Sequence, residues 1–317
     1  MSAALIAATE AALHAWDIAP QRISLASKSE NIVFRVDATC GSYVLRFHRP
    51  GYHSADSLVS EQVWTQALNA AGIDAPTPVP TRDGSPLAQT NLDGQAHHVG
   101  LLKWVDGEIM RSAMTAKNQL EAFHRLGSLL ATMHNQATSW ELPAGFDRPQ
   151  IGADGLMGEQ PVWGRFWEAP MLSAAQATLL CELRKRIYSI LLEYVEEPQS
   201  FSLIHSDLHA GNVVLAGDSL HVIDFDDAAF GWHIYDIAIA LKEYEDHAEY
   251  SGFLEALMRG YRSQRPFAES HLSYLPLFLL IRRLNAIGWV ADRPDLELAG
   301  YHGELMAYIQ SHAALVR

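Results

Sequence analysis

Three side chains in the C-terminal half of this 317-residue chain have the types and spacing that phosphoryl transfer requires. The run His205-Ser-Asp207-Leu-His209-Ala-Gly211-Asn212 is followed, after one short apolar stretch, by Ile223-Asp224-Phe225-Asp226. Moving a γ-phosphoryl group from ATP to a hydroxyl takes a carboxylate that orients the hydroxyl and accepts its proton. It also takes oxygen ligands that hold Mg²⁺ against the phosphates. Asp207 suits the first task, Asn212 and Asp224 the second. Asn212 lies five residues after Asp207, so one loop can present both.

Val213-Val214-Leu215 predicts a short strand, Gly217-Asp218 a turn and His221-Val222-Ile223 a returning strand, because apolar runs flank the Gly-Asp pair. Asn212 opens this hairpin and Asp224 closes it, which brings the two to its base. A rival reading takes His205, Asp207 and His209 as the ligands of a zinc hydrolase, since imidazole and carboxylate at alternating positions suit Zn²⁺. That reading leaves Asp224-Phe225-Asp226 without a task, and no second His cluster stands at ligand spacing. A polar turn could hold any one of these residues by chance, but not readily the whole set. His205 reads as structural, packed below the loop.

The pattern His-x-Asp-x-x-x-x-Asn followed by Ile-Asp-Phe-Asp resembles the aminoglycoside phosphotransferase and choline kinase family, which shares the protein-kinase-like fold. The stretch Phe230-Gly-Trp-His-Ile-Tyr235-Asp236-Ile-Ala-Ile-Ala-Leu241 is similar to the family's segment after its metal Asp. The resemblance is clearest over 200–241 and extends to 21–137. It implies an α+β, bilobal fold, with a small antiparallel-sheet lobe and a larger, mainly helical lobe. It implies ATP and Mg²⁺ as cofactors, Asp207 as the catalytic base, and Asn212 and Asp224 as metal ligands. Asp226 would be a further carboxylate near metal or substrate, and Asp236 would brace the catalytic loop. Ser29-Glu-Asn31 and the Gly231-Trp-x-x-Tyr-Asp236 run are also similar to homoserine kinases of this fold.

The elements that must position these groups follow from periodicity. After a first helix within 1–18, Arg22-Ile-Ser-Leu-Ala26 and Asn31-Ile-Val-Phe-Arg-Val36 predict two strands, and Ser42-Tyr-Val-Leu-Arg46-Phe-His48 a third. Residues 56–71 predict a helix that ends near Gly72. Three prolines in Ala75-Pro-Thr-Pro-Val-Pro80 enforce extended backbone. Asp-Gly turns follow at 83–84 and 93–94, then the apolar strand Val99–Val105. From about 116 the pattern turns helical. Leu120, Phe123, Leu126, Leu130 and Met133 form one amphipathic stripe ending at His134-Asn135. Further helices are expected at 173–197, 234–246, 249–263, 271–290 and 296–315. The domain boundary is expected near Asp106-Gly107, giving a nucleotide-binding lobe at 1–107 and a catalytic and acceptor-binding lobe at 108–317.

Period-two alternation on the third strand sets Val44, Arg46 and His48 on one face. The resemblance makes Val44 an adenine-lining residue and Arg46 the phosphate-binding cation, where the fold usually has Lys. A guanidinium can still bind phosphate and pair with a carboxylate, and Glu61 on the following helix is the natural partner. In place of a glycine-rich phosphate loop the chain offers Ser29 and Asn31 as donors, although a plain polar turn is the better description of this stretch. The strand ending at Lys103, Trp104 and Val105 would lead into the hinge that meets adenine. The acceptor would be met by large-lobe side chains: Asp227, Glu243, Tyr244, Arg282, Arg283, Asn285 and Trp289 are candidates, each of which could equally be a salt bridge or a core aromatic. Acidic and aromatic groups suit an amine and Arg282-Arg283 a carboxylate, so an amino acid, amino alcohol or aminoglycoside is the expected acceptor class.

Composition narrows the alternatives. A hydrophobic share of 49% and a charged share of 19% describe a globular chain large enough for a substantial core. A net charge of -14 argues against nucleic-acid or anionic-membrane partners, because both rest on Lys and Arg neutralising phosphates. Cys40 and Cys181 alone make no disulfide framework, so the cytoplasm is the expected location. Residues 1–18 lack a basic leader, and no run of 18 apolar residues predicts a membrane span. Two other functions stay open: a bacterial stress-response protein kinase of the same fold, and a nucleotide-binding pseudokinase scaffold. Ser206 where protein kinases carry Arg, and the lack of Ala-Pro-Glu after Asp224, separate the chain from the first. Intact Asp207, Asn212 and Asp224 separate it from the second.

Overall fold

A computed structural model describes residues 3–29, 31–194, 196–293 and 299–316. Helix α1 (Ala3–Leu13) is followed by strands β1 (Pro20–Lys28), β2 (Ile32–Ala38) and β3 (Gly41–Phe47), then helix α2 (Ala55–Ala70). Strands β4 (Ala88–Leu92), β5 (Gln95–Lys103) and β6 (Glu108–Ile109) lead to helices α3 (Met110–Ala113) and α4 (Gln119–Ser139). Next come β7 (Gln150–Ile151), α5 (Ala153–Met157), α6 (Ala174–Glu193), β8 (Phe201–Ile204), β9 (Val213–Ala216), β10 (Ser219–Val222) and β11 (Ala229–Trp232). Helices α7 (His233–Leu241), α8 (Tyr250–Gln264), α9 (Glu269–Leu272), α10 (Leu275–Ala291) and α11 (Ala299–His312) complete the chain. This is an α+β protein whose larger sheet is antiparallel.

The chain divides into two compact units. One comprises Met1–Ile109, Leu142–Asp147 and Val213–Asp226; the other comprises Met110–Glu141, Arg148–Asn212 and Asp227–Arg317. The backbone therefore changes unit two residues after Gly107, and the 213–226 hairpin folds with the first unit.

In the first unit, five strands pair in the order β1-β2-β3-β5-β4. Register sets Phe34 opposite Leu45 and Val33 opposite Arg46. Leu45 and Phe47 join Phe34, Val36, Val99, Leu101, Leu13 and Trp16 in a core on one face of this sheet, so alternation sends Arg46 and His48 to the other. The β9–β10 hairpin is joined by β6, which pairs with β9. Gly107 permits that contact, because a Cβ there would collide with the Leu215 carbonyl. The returning strand ends at Val222, one residue short of the expected Ile223.

In the second unit, α4 and α8 lie unusually close. A Cβ at Gly127 would strike the Leu257 carbonyl oxygen, and one at Gly260 the His124 carbonyl oxygen, so each helix supplies a glycine where the other passes. Helix α4 runs beyond the expected His134-Asn135 end to Ser139. Thr138 and Ser139 hydroxyls bond back to the His134 and Asn135 carbonyls, which occupies polar side chains that would otherwise stop a helix. The expected helix 271–290 is two pieces, broken at Ser273-Tyr274, with Pro276 in the first turn of α10, where no N–H partner is lost. The expected helix at 173–197 begins on the Ser173–Gln176 capping box and ends at Glu193; residue 195 lies outside the described residues. The expected 234–246 helix stops at Leu241. Residues 296–298 of the last expected helix also lie outside the described residues. The stretch Glu269–Ala291 is long and apolar enough by composition to cross a membrane, but 67% of its window is buried inside the protein and it carries Arg282 and Arg283.

Candidate active site

The loop from His205 to Asn212 leaves β8 and is held from beneath. Asp236, in the first turn of α7, accepts the amide N–H of His205 at 3.1 Å and that of Ser206 at 2.7 Å. Burial drives His134 well below its ordinary range, so its ring is neutral and its two nitrogens differ in role. Nδ1 takes the Tyr261 hydroxyl at 2.8 Å, and Nε2–H donates to Asp236 Oδ2 at 3.2 Å. His233 stacks on His134, with centroids 4.1 Å apart. Ser206 takes a left-handed φ of 58°, and its hydroxyl donates to the Asp227 carbonyl. Such backbone persists in a non-glycine residue only where its surroundings enforce it.

Burial pushes the Asp236 carboxyl up to about 6, against the pull of His205 and the two loop amides. The folded value then exceeds the unfolded one, so the folded state binds more protons between them. This contribution is present below about pH 4 and is lost as pH rises through 6. Chemical denaturation across pH 4–7 is expected to show a stability decrease on the order of 2–3 kcal/mol from this group. Asp236→Asn should abolish that slope, whatever its constant cost, and an unchanged slope would refute the assignment.

Asp207 is recessed, with 22% of its side chain exposed. Lys242 Nζ reaches Oδ1 at 2.9 Å, Arg282 Nη2 reaches the same oxygen at 3.4 Å, and His209 Nε2 stands 3.6 Å from Oδ2. Burial alone would raise this carboxyl, but Lys242, His209 and Arg282 outweigh it and hold the group well below the usual carboxylate range. Asp207 is therefore held as an anion. Asn212 Nδ2 donates to the Asp207 carbonyl at 2.9 Å and to Asp207 Oδ2 at 3.3 Å, which ties the end of the loop to its start.

His209 has a fixed tautomer. Its Nδ1 accepts from Arg111 Nη2 at 2.8 Å and from the Gly211 amide at 3.0 Å, leaving Nε2–H for Asp207. Arg111 is in turn paired with Glu243 at 2.9 Å. The Nδ1 atoms of His205 and His209 both accept backbone N–H groups, His205 from Asp207 at 3.3 Å. That occupancy disfavours the zinc-ligand reading of this motif.

In the first unit, Arg46 and Glu61 form an ion pair with 9% and 3% of their side chains exposed. Burial opposes the guanidinium charge, but Glu61, Asp226 and Asp224 outweigh it and hold Arg46 above its ordinary range. Asp226 is 4% exposed, with His48 at 3.9 Å and His53 at 3.7 Å. Burial raises its carboxyl, while His53 and Arg46 pull it lower overall. Its carboxylate thus faces the Arg46 guanidinium and the imidazoles of His48 and His53 within its own unit. Asp224 is exposed, with a left-handed φ of 66°, and the hairpin's last rung, Val213–Val222, lies between it and Asn212 in the chain.

The remaining candidates separate by contact. Val44 is half-buried and pairs with Leu102 of β5. Ser29 is exposed, whereas Asn31 is 7% exposed and its Oδ1 accepts the Arg49 amide at 3.1 Å, so Asn31 ties strand ends together. The Lys103 amide donates to the Thr77 carbonyl and that of Trp104 to the Ser42 carbonyl, so these two of the three residues expected at the hinge have their amides bonded within the first unit. Arg282 touches Asp207, and Asp227 acts on Arg282 through charge. Glu243 reaches the loop through Arg111 and His209. Tyr244 instead stands edge-on to Phe123 and Phe253, and Trp289 lies beneath Arg293. Arg283 pairs with Glu245. Sequence reasoning missed Lys242, Arg111 and His53. Only Lys242 left a trace, as a cation one residue past an apolar helix.

A model of the phosphotransferase enzyme family matches residues 22–271. A homoserine kinase of Agrobacterium fabrum (strain C58) is 29% identical over 219 residues, which span 67% of this chain and 62% of that protein. The structure of a microcompartment-associated aminopropanol kinase superposes with a TM-score of 0.83 and 28% identity, covering 98% of this chain and 96% of the other. Amicoumacin kinase hAmiN in complex with AMP-PNP, Ca²⁺ and Ami superposes with a TM-score of 0.82 and 20% identity, covering 99% and 94%.

Proposed function

The chain belongs to the phosphotransferase enzyme family, and from that premise we propose that it transfers the γ-phosphoryl group of ATP to a hydroxyl of a small amino acid, amino alcohol or aminoglycoside. The coarser part of this statement, a kinase with an alcohol group as acceptor, follows from the family and its kinase relatives. The observation that carries the rest is the loop braced by Asp236, which holds Asp207 as an anion beside two donors of positive charge.

In this reading the acceptor oxygen forms a bond to Pγ as the bond from Pγ to the β-bridging oxygen breaks. The hydroxyl proton passes to Asp207 and then to solvent, and ADP leaves. Alignment and charge neutralisation supply most of the acceleration, with no covalent intermediate. Arg46, kept ionised by Glu61, binds phosphate oxygens; Val44 lines the adenine, and Val105 offers it backbone groups. Ser29 is an exposed hydroxyl available to phosphate. Asn212 Oδ1 and the Asp224 carboxylate are hard oxygen donors that fit Mg²⁺, and the metal would neutralise phosphate charge. A cytoplasmic location, with ATP at hand, belongs to the same reading.

The test is ADP release, with ³¹P NMR of the product, across a panel of amino acids, amino alcohols, aminoglycosides and sugars. Consumption of ATP with a phosphomonoester product is expected for one class. Labelling of protein extracts without any response from the panel would overturn the small-molecule reading.

A further inference from the structure

We propose that Arg282 and Lys242, with Trp163 and Tyr235 behind them, form a subsite for a carboxylate on the acceptor, so that the substrate is a hydroxy acid rather than a simple amino alcohol. This rests on the kinase reading above and narrows its acceptor.

Helix α10 carries Arg282 to 3.4 Å from Asp207 Oδ1, and Lys242, the residue that closes α7, approaches the same oxygen at 2.9 Å. Two cations thus converge on one carboxylate oxygen. Arg282 Nε and Nη1 are buried with no acceptor among the described residues, and so is the indole N–H of Trp163. The guanidinium lies 5.7 Å from the Trp163 ring, which stacks parallel to Tyr235 at 6.0 Å. Gly288 allows this assembly, since a Cβ there would strike the Trp163 carbonyl oxygen. Asn285, 1% exposed and three residues after Arg282 in the chain, neighbours the Tyr235 hydroxyl.

These groups are chiefly hydrogen-bond donors. Buried donors without acceptors are costly, and a ligand bearing acceptor oxygens relieves them. A bare ammonium would bring only further donors and a third positive charge. Asp207 and Asp227 are the carboxylates that act on Arg282 within the protein. When Asp207 turns an oxygen to the acceptor hydroxyl, Arg282 and Lys242 lose an acceptor. A carboxylate carried beside that hydroxyl makes good the loss, and the fork of a guanidinium matches its two oxygens.

The experiment pairs each hydroxy amino acid with its decarboxylated counterpart: L-serine with ethanolamine, L-threonine with 1-aminopropan-2-ol, and L-homoserine with 3-aminopropan-1-ol. With the full chain and Mg-ATP, kcat/KM is expected to favour the carboxylate-bearing member of at least one pair by roughly a hundredfold. Arg282→Met should raise KM for that member by about 30–100-fold more than for its amine counterpart, any loss common to both reporting the contact of the guanidinium with Asp207, and Arg282→Lys should recover part of that difference. Calorimetry with L-2-aminobutyrate, which has the carboxylate and no hydroxyl, reads the subsite without turnover. Its binding should weaken equally in Arg282→Met, with thermal melting confirming that the variant is folded. Equal use of both members of every pair, a preference that survives Arg282→Met, or the absence of both aminobutyrate binding and turnover would overturn the proposal. Aminobutyrate binding that depends on Arg282 without any ATP consumption would uphold the subsite and refute the kinase reading instead.

Discussion

Asp207→Asn is expected to lower turnover by about 10³-fold while leaving nucleotide affinity within about twofold. The carboxylate is anionic in the folded protein because Lys242, His209 and Arg282 outweigh its burial. An amide keeps the volume and one acceptor oxygen, but it loses the charge that aligns the hydroxyl and receives its proton. The variant also leaves Lys242 and Arg282 facing a neutral group, so a stability cost of about 2–4 kcal/mol should accompany the loss of rate. Rapid-quench measurement of product formation, beside nucleotide titration by fluorescence, separates the two effects. Undiminished turnover would remove Asp207 from the reaction.

Arg46→Met is expected to destabilise the protein by about 4–5 kcal/mol, and Glu61→Met by nearer 3 kcal/mol. The inequality follows from the neighbours. Without Arg46, the nearby carboxylates Glu61, Asp226 and Asp224 lose the guanidinium that offsets them; without Glu61, Arg46 still has Asp226 and Asp224. The double substitution removes both buried charges and should cost less than the sum of the single changes, by about 2 kcal/mol or more. Nucleotide affinity follows a different rule, because the guanidinium is the proposed phosphate ligand. It should fall about tenfold or more in Arg46→Met and stay equally low in the more stable double variant. Urea denaturation gives the stabilities and nucleotide titration the affinities. Additive stabilities, or an affinity that recovers with stability, would make the pair structural alone.

The parts of this architecture that were legible are those governed by short-range rules. Period-two alternation placed Val44, Arg46 and His48 opposite the Leu45–Phe47 core face, and the Gly217-Asp218 turn fixed the hairpin. Spacing put Asp207 and Asn212 on one loop, where the amide now bonds the Asp207 carbonyl. Contacts set by chain ends and long separations were not legible. Lys242 meets Asp207 just where α7 stops at Leu241, whereas the expected helix ran on to 246 through residues that carry no stop signal. Arg111 meets His209 across 98 residues, which no local pattern encodes. The left-handed backbone of Ser206 and Asp224 falls on residue types that do not announce it. For Asn31 and Tyr244 the sequence left ligand contact and structural role open, because polarity and aromaticity do not reveal burial; in the structure Asn31 ties strand ends, and Tyr244 packs against Phe123 and Phe253.

The two glycines at the α4–α8 crossing bear on catalysis from behind. His134 rides on α4 and Tyr261 on α8, and their hydrogen bond is one link in the chain that ends on Asp236 and the loop amides. Alanine at Gly127 or Gly260 would wedge these helices apart and slacken that linkage without touching either substrate. Melting temperature and turnover should then fall together, most of the lost rate appearing in kcat rather than in either KM. A single methyl group, remote from every reacting atom, would act as a throttle on this enzyme.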